Sequence, residues 1–89
     1  MQRKKNKRLG KWELATQSVL RGTRNERRLK QREVSRMLDR AENYVTLIET
    51  GQRKCTVAEA CELAEIMGVD PLEMFTRIVS HVRKAKEAP

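Results

Sequence analysis

Little in this chain is equipped for covalent, redox or metal chemistry. It has one histidine, His81, and two cysteines, Cys55 and Cys61, six apart with no CxxC pair. That set supports neither a zinc site nor a disulfide framework. With no Cys/His or carboxylate constellation and no glycine-rich phosphate loop, it leaves no candidate active site, and no enzyme or cofactor is expected. No apolar run approaches the roughly 18 residues of a membrane span. The opening MQRKKNKRLGK lacks the apolar stretch that follows the positive charges of a secretory signal. A cytoplasmic protein with no membrane partner is the expectation.

What is present is positive charge. Twenty Lys and Arg against 12 Asp and Glu leave +8 on 89 residues, an excess that favours polyanionic partners over a merely solvated surface. The charge is uneven: residues 1–40 carry 14 basic and 4 acidic side chains, residues 41–89 carry 6 and 8. Arg3, Lys4, Lys5, Lys7 and Arg8 crowd the first residues with no acid among them. Without apolar residues between Met1 and Leu9, that segment cannot fold by burial and reads as a flexible basic arm over residues 1–9. Residues 10–85 then suffice for one small domain with a limited core, followed by a tail at 86–89.

The remaining pattern is helical throughout, without strands or repeats. Leu9, Trp12, Ala15, Val19 and Leu20 recur at helical spacing, predicting a first helix from Gly10, or as late as Thr16, to about Arg27, with Trp12 expected in the core rather than stacking on a nucleic acid. Thr56 and Glu59 make a capping box, after which Val57, Ala60, Cys61, Ala64 and Met67 form a buried stripe ending at Gly68. Asp70, Pro71 and Glu73 start another helix. Its apolar side is expected to hold Leu72, Phe75, Ile78, Val79 and Val82, with Arg83 and Lys84 at its negative end.

Between these lies LKQREVSRMLDRAENYVTLIETG, Leu29 to Gly51. Val34 and Leu38 give a helix over about Lys30–Leu38 one apolar edge, and Val45 and Ile48 give another to a helix ending at Thr50. Gly51 is the left-handed stop. Ser35 is small where the two helices would cross. Gln31, Glu33, Val34, Ser35, Leu38, Val45, Ile48, Glu49 and Gly51 occupy the positions of Gln, Glu, aliphatic, small, Glu and Gly residues in the phage repressor and Cro (XRE) helix-turn-helix family. Leu20, Arg21 and Arg24 upstream, and Leu63, Ala64, Gly68, Val69 and Phe75 downstream, extend the likeness over roughly residues 17–76. The chain therefore resembles that family. At the turn, Asp39 stands for the usual Gly, Arg40 for an aliphatic and Ala41 for a Ser or Thr cap. The third helix can accordingly begin near Arg40, through an Asp39–Glu42 capping box, or at Glu42.

The resemblance implies an all-α, five-helix repressor-like domain whose third helix reads duplex DNA. Base contacts map onto Glu42, Asn43 and Leu47, with Tyr44, Thr46 and Thr50 flanking them. Asn pairs with adenine, Glu accepts from cytosine, and Leu touches the thymine methyl. Gln31, Lys30, Gln52, Arg53 and Lys54 map to backbone-gripping positions that orient the protein without reading sequence. Arg24 and Glu49 match a structural ion pair, and basic arms in the family wrap the duplex. A repressor that binds a two-fold operator as a homodimer is the leading reading. Ile78, Val79 and Val82 are its expected dimer ridge; the alternative is that Val79 and Val82 cap the monomer core against Trp12 or Leu9. An antitoxin whose C-terminal helix engages a toxin, and a protein-interaction module without DNA, are the other functional readings.

Overall fold

Each helix starts where a side chain supplies a partner for an otherwise unbonded terminal amide. The computed structural model describes residues 10–87. Helix α1, Lys11–Glu26, opens with the Gly10 amide donating to Glu13 Oε1 at 2.8 Å. In α2, Gln31–Met37, the Lys30 amide donates to Glu33 Oε1 in the same way, also at 2.8 Å. The short α3, Tyr44–Glu49, follows a turn. In α4, Val57–Ile66, Thr56 and Glu59 form the expected reciprocal box at 3.1 and 3.0 Å. Asp70 Oδ1 accepts from the Leu72 amide at 3.0 Å at the start of α5, Pro71–Glu87. The described residues are all-helical, as expected.

Helices α1, α4 and α5 enclose the core, and α2 and α3 pack against it as a pair. Ala15 and Leu20 of α1, Val34 of α2, and Val45 and Ile48 of α3 meet Leu63, Ala64 and Met67 of α4 and Met74, Ile78 and Val82 of α5. Across the back, Arg77 on α5 donates to Thr23 Oγ1 on α1 at 3.1 Å and pairs with Glu73 at 2.9 Å.

Several expectations need correcting. Trp12 is 50% exposed, Val57 70% and Leu72 72%. Val57 is in phase with the buried Ala60, Leu63, Ala64 and Met67, but it sits in the first turn of α4 beside an open groove. The true stripe of α5 is Met74, Ile78 and Val82, spaced by four, with Leu72 on the opposite side of the helix. Met74, missed in the sequence pattern, is fully buried. Ile78 and Val82 are buried within the single chain, and of the expected ridge only Val79 is partly exposed. Cys61 is half-buried rather than a core residue. Leu9 and the basic arm lie outside the described residues.

Candidate nucleic-acid interface

The start of α3 is decided by Asp39. Its φ of 57° places it in the left-handed region, the conformation a glycine would take there without strain. The chain reverses at Asp39 and closes a tight turn, with the Tyr44 amide donating to Ala41 O at 3.0 Å, before α3 begins at Tyr44. Neither expected start, Arg40 or Glu42, is the observed one. With Asp39 in this conformation the Asp39–Glu42 capping box does not form.

Two buried polar systems then aim the helix. Ser35, fully buried at the crossing of α2 and α3, accepts from the Val45 amide at 3.1 Å and donates to Gln31 O at 3.0 Å. Glu49, 1% exposed, is the second. Arg24 Nε and Nη2 bind its two carboxylate oxygens at 2.6 and 3.0 Å, and Arg24 Nη1 donates to Leu29 O at 2.8 Å. Gln31 Nε2 donates to Glu49 Oε1 at 2.9 Å, and Arg21 Nη2 donates to the Glu49 carbonyl at 2.7 Å. A bidentate arginine together with an amide donor is what a dry carboxylate requires. Arg24 and Glu49 thus form the pair implied by the resemblance, and they tie α1, α2 and α3 into one unit.

Opposite this buried edge, Glu42, Asn43 and Thr50 are exposed, and Thr46 and Leu47 half-exposed. Glu42 is not a bare carboxylate, since Arg36 Nη2 lies 3.2 Å from its Oε2. The Asn43 side chain caps nothing and is open to a ligand. Thr46 donates to Gln31 Oε1 at 2.8 Å, so both ends of the Gln31 amide already have protein partners. Thr50 donates to Thr46 O at 2.8 Å and accepts from Gln52 at 3.1 Å. Lys30 and Lys54 are exposed at the two flanks.

Tyr44 departs from its expected place. It is buried, so the ring is not a surface contact; it packs under Arg40 and Arg53, and its hydroxyl has no partner. Burial, followed by the nearby Glu59 carboxylate, pushes its pKa above the usual phenol value. Glu59 experiences opposing influences. Burial favours its neutral form, but hydrogen bonds from the Thr56 backbone and Arg53 outweigh that and hold its carboxyl below the usual range. Cys55 is pushed up to about 11, first by burial and then by Glu59, and stays a thiol at neutral pH. Among the described residues no group of three or more His, Cys, Asp or Glu is placed to hold a metal, and no helix is long and apolar enough to cross a membrane.

Comparison with family models matches residues 18–74, from the middle of α1 into α5, to a helix-turn-helix domain. The chain belongs to that helix-turn-helix family. No curated protein and no solved structure matches it. The match spans α2, the Asp39 turn and α3, which are the two helices and the turn of a DNA-binding helix-turn-helix domain. The Ser35 bond, the Arg21 bond and the cluster around Tyr44 had no sequence signal beyond residue type, because each joins positions from different elements.

Proposed function

We propose that this helix-turn-helix protein is a sequence-specific transcriptional repressor that places α3 in the major groove of a two-fold operator. Its support is the division of α3 into two edges. Val45, Ile48 and Glu49 are buried, while the side chains of Asn43, at the N-cap, and Leu47 are left on a face where the fold gives them no hydrogen-bond partner. Asn43 is the adenine reader and Leu47 the thymine-methyl contact. Glu42, tethered to Arg36, accepts from cytosine. Lys30, Lys54 and the basic residues of segment 1–8 supply affinity without sequence preference.

The protein acts as a homodimer whose reading helices sit about 34 Å apart, one turn of duplex. With Ile78 and Val82 buried, Trp12, Leu14, Met37, Val57 and Leu72 are, among the described residues, the exposed large apolar side chains left for association. In vitro selection from a randomised duplex pool is expected to return a two-fold symmetric consensus. Asn43→Ala is expected to lose about 1 to 3 kcal/mol of discrimination at one position of each half-site. Failure to enrich any consensus would overturn the reading. Equal weakening on selected and random DNA would remove Asn43 as a reader.

A further inference from the structure

Trp12 is the chain's one tryptophan, and half of it is open to solvent because it borders a cleft. The cleft has a volume of about 380 Å³ and lies between the first turns of α1 and the loop that leaves α3. Ile48, Gly51 and Cys55 line it from the α3 side, and Arg53 and Lys54 bring two cations to it. A second hollow of about 210 Å³ shares Trp12, Thr16 and Cys55 with the first and continues past Val57 of α4 to Phe75 and Val79 of α5. The two are lobes of one groove. Joined, they fall within the range of about 300 to 1,000 Å³ that small-molecule sites occupy.

The lobes differ in chemistry. Among the described residues no charged side chain lines the second. Its two hydroxyls are already engaged, Thr16 donating to Trp12 O at 2.8 Å and Thr56 accepting from the Glu59 amide at 3.1 Å. Cys55, pushed up to about 11 by burial, stays a neutral thiol. The first lobe carries the charge. Arg53 is offset by Glu59 at 2.9 Å, but among the described residues it donates through Nη1 alone. Lys54 is exposed, and its ammonium has no acceptor among those residues. The carboxylate in the lining, Glu13, already accepts from the Gly10 amide at 2.8 Å. An anionic head therefore meets uncompensated charge at Lys54 and open N–H groups on Arg53, while a linear apolar body has an uncharged lobe to enter.

We propose that this groove binds a free linear-chain carboxylate, its head at Lys54 and Arg53 and its hydrocarbon body running along Trp12 toward Val57 and Val79. In the repressor reading Lys54 also supplies affinity for DNA, so an acid in the groove competes with phosphate for the same ammonium and weakens DNA binding. That consequence rests on the repressor reading; the site itself does not.

The first test needs no DNA. Trp12 emission of the full chain at pH 7 is followed during titration with hexanoate, octanoate and decanoate, each below its micelle concentration. A saturable change is expected, with affinity rising up to about fourfold for each methylene buried. Octanol in place of octanoate, and Lys54→Ala titrated with octanoate, are each expected to bind about two- to fivefold more weakly, the size of one exposed ion pair. Val57→Glu, at a position 70% exposed where folding is not at stake, sets a carboxylate beside the apolar lobe and loses most of the decanoate affinity. Arg83→Ala, which removes a cation outside the groove, leaves the titration unchanged. In the second test, saturating decanoate is expected to weaken duplex binding by about two- to fivefold, again the size of one exposed ion pair.

The absence of a saturable change, equal affinity for the three chain lengths, or unaltered binding by Val57→Glu would overturn the site. Equal affinity for octanoate and octanol would overturn the carboxylate head. Emission that shifts with protein concentration in the absence of acid would give the groove to a second copy of the chain, which also overturns the site. Duplex binding that decanoate leaves unchanged would overturn the competition at Lys54. If the protein binds no duplex at all, the DNA reading falls, and the emission titration still decides the site.

Discussion

The hydroxyl of Ser35 stands 3.1 Å from the amide of Val45, joining the helix that precedes the turn to the helix that follows it. Val45 is in the first turn of α3, where its N–H has no partner within the helix, and the fully buried Ser35 supplies one across space. Replacing Ser35 by Ala keeps the close approach of the helices but strands that amide. A loss of about 1 to 3 kcal/mol in urea unfolding is expected. A loss near zero would mean that water reaches Val45.

Glu49 is 1% exposed and balanced mainly by Arg24. Arg24→Ala leaves the carboxylate buried with only Gln31 and the more distant Arg21 side chain, 3.6 Å away. The expected cost is about 3 to 5 kcal/mol in chemical denaturation. Because Glu49 also holds Gln31, and through it Thr46, the folded remainder should show reduced sequence discrimination. Unchanged stability in this variant would show that the pair does not fix the reading helix.

Asp39 adopts a φ of 57° with a Cβ in place. Asp39→Gly removes that steric cost of about 1 to 2 kcal/mol while adding roughly 0.5 to 1 kcal/mol of unfolded-state entropy. A net gain of up to about 1.5 kcal/mol in thermal or urea unfolding is the expected result. Destabilisation would assign the Asp39 side chain a stabilising contact.

The carboxyl of Glu59 titrates below its ordinary value in the folded protein. A depressed folded-state pKa contributes stability that is present above the unfolded value and lost as pH falls through the folded one. Glu59→Gln is therefore expected to destabilise the protein near pH 7 and to have a diminishing effect as pH approaches about 3. Urea midpoints of both proteins across this range provide the check. A constant difference would trace the effect to the Thr56 cap rather than to charge.

Segment 1–8 holds five basic residues and no acid. If three to five of its charges meet phosphates, deleting it should flatten the salt dependence of binding by about 3 to 4 units and weaken specific and random DNA alike. Parallel titration lines for the full and truncated chains would remove the segment from the mechanism.

The amino-acid sequence by itself determined the helical class, the caps at Thr56–Glu59 and Asp70, the left-handed stop at Gly51 with its φ of 78°, and the pairing of Arg24 with Glu49 implied by the family pattern. Caps and stops are legible because they are contacts between residues two or three apart, and the ion pair because its two residue types belong to a spaced motif. Only the tertiary structure decided that α3 begins at Tyr44, that Met74 rather than Leu72 lies in the core, and that Trp12 is half exposed while Ile78 and Val82 are buried. Periodicity reports that a helix has an apolar side. How far a neighbouring helix extends over that side depends on crossing and length, which no local pattern carries. The same reason hides the cluster of Arg40, Tyr44, Arg53 and Glu59, whose members come from two loops and two helices and meet only in the folded chain.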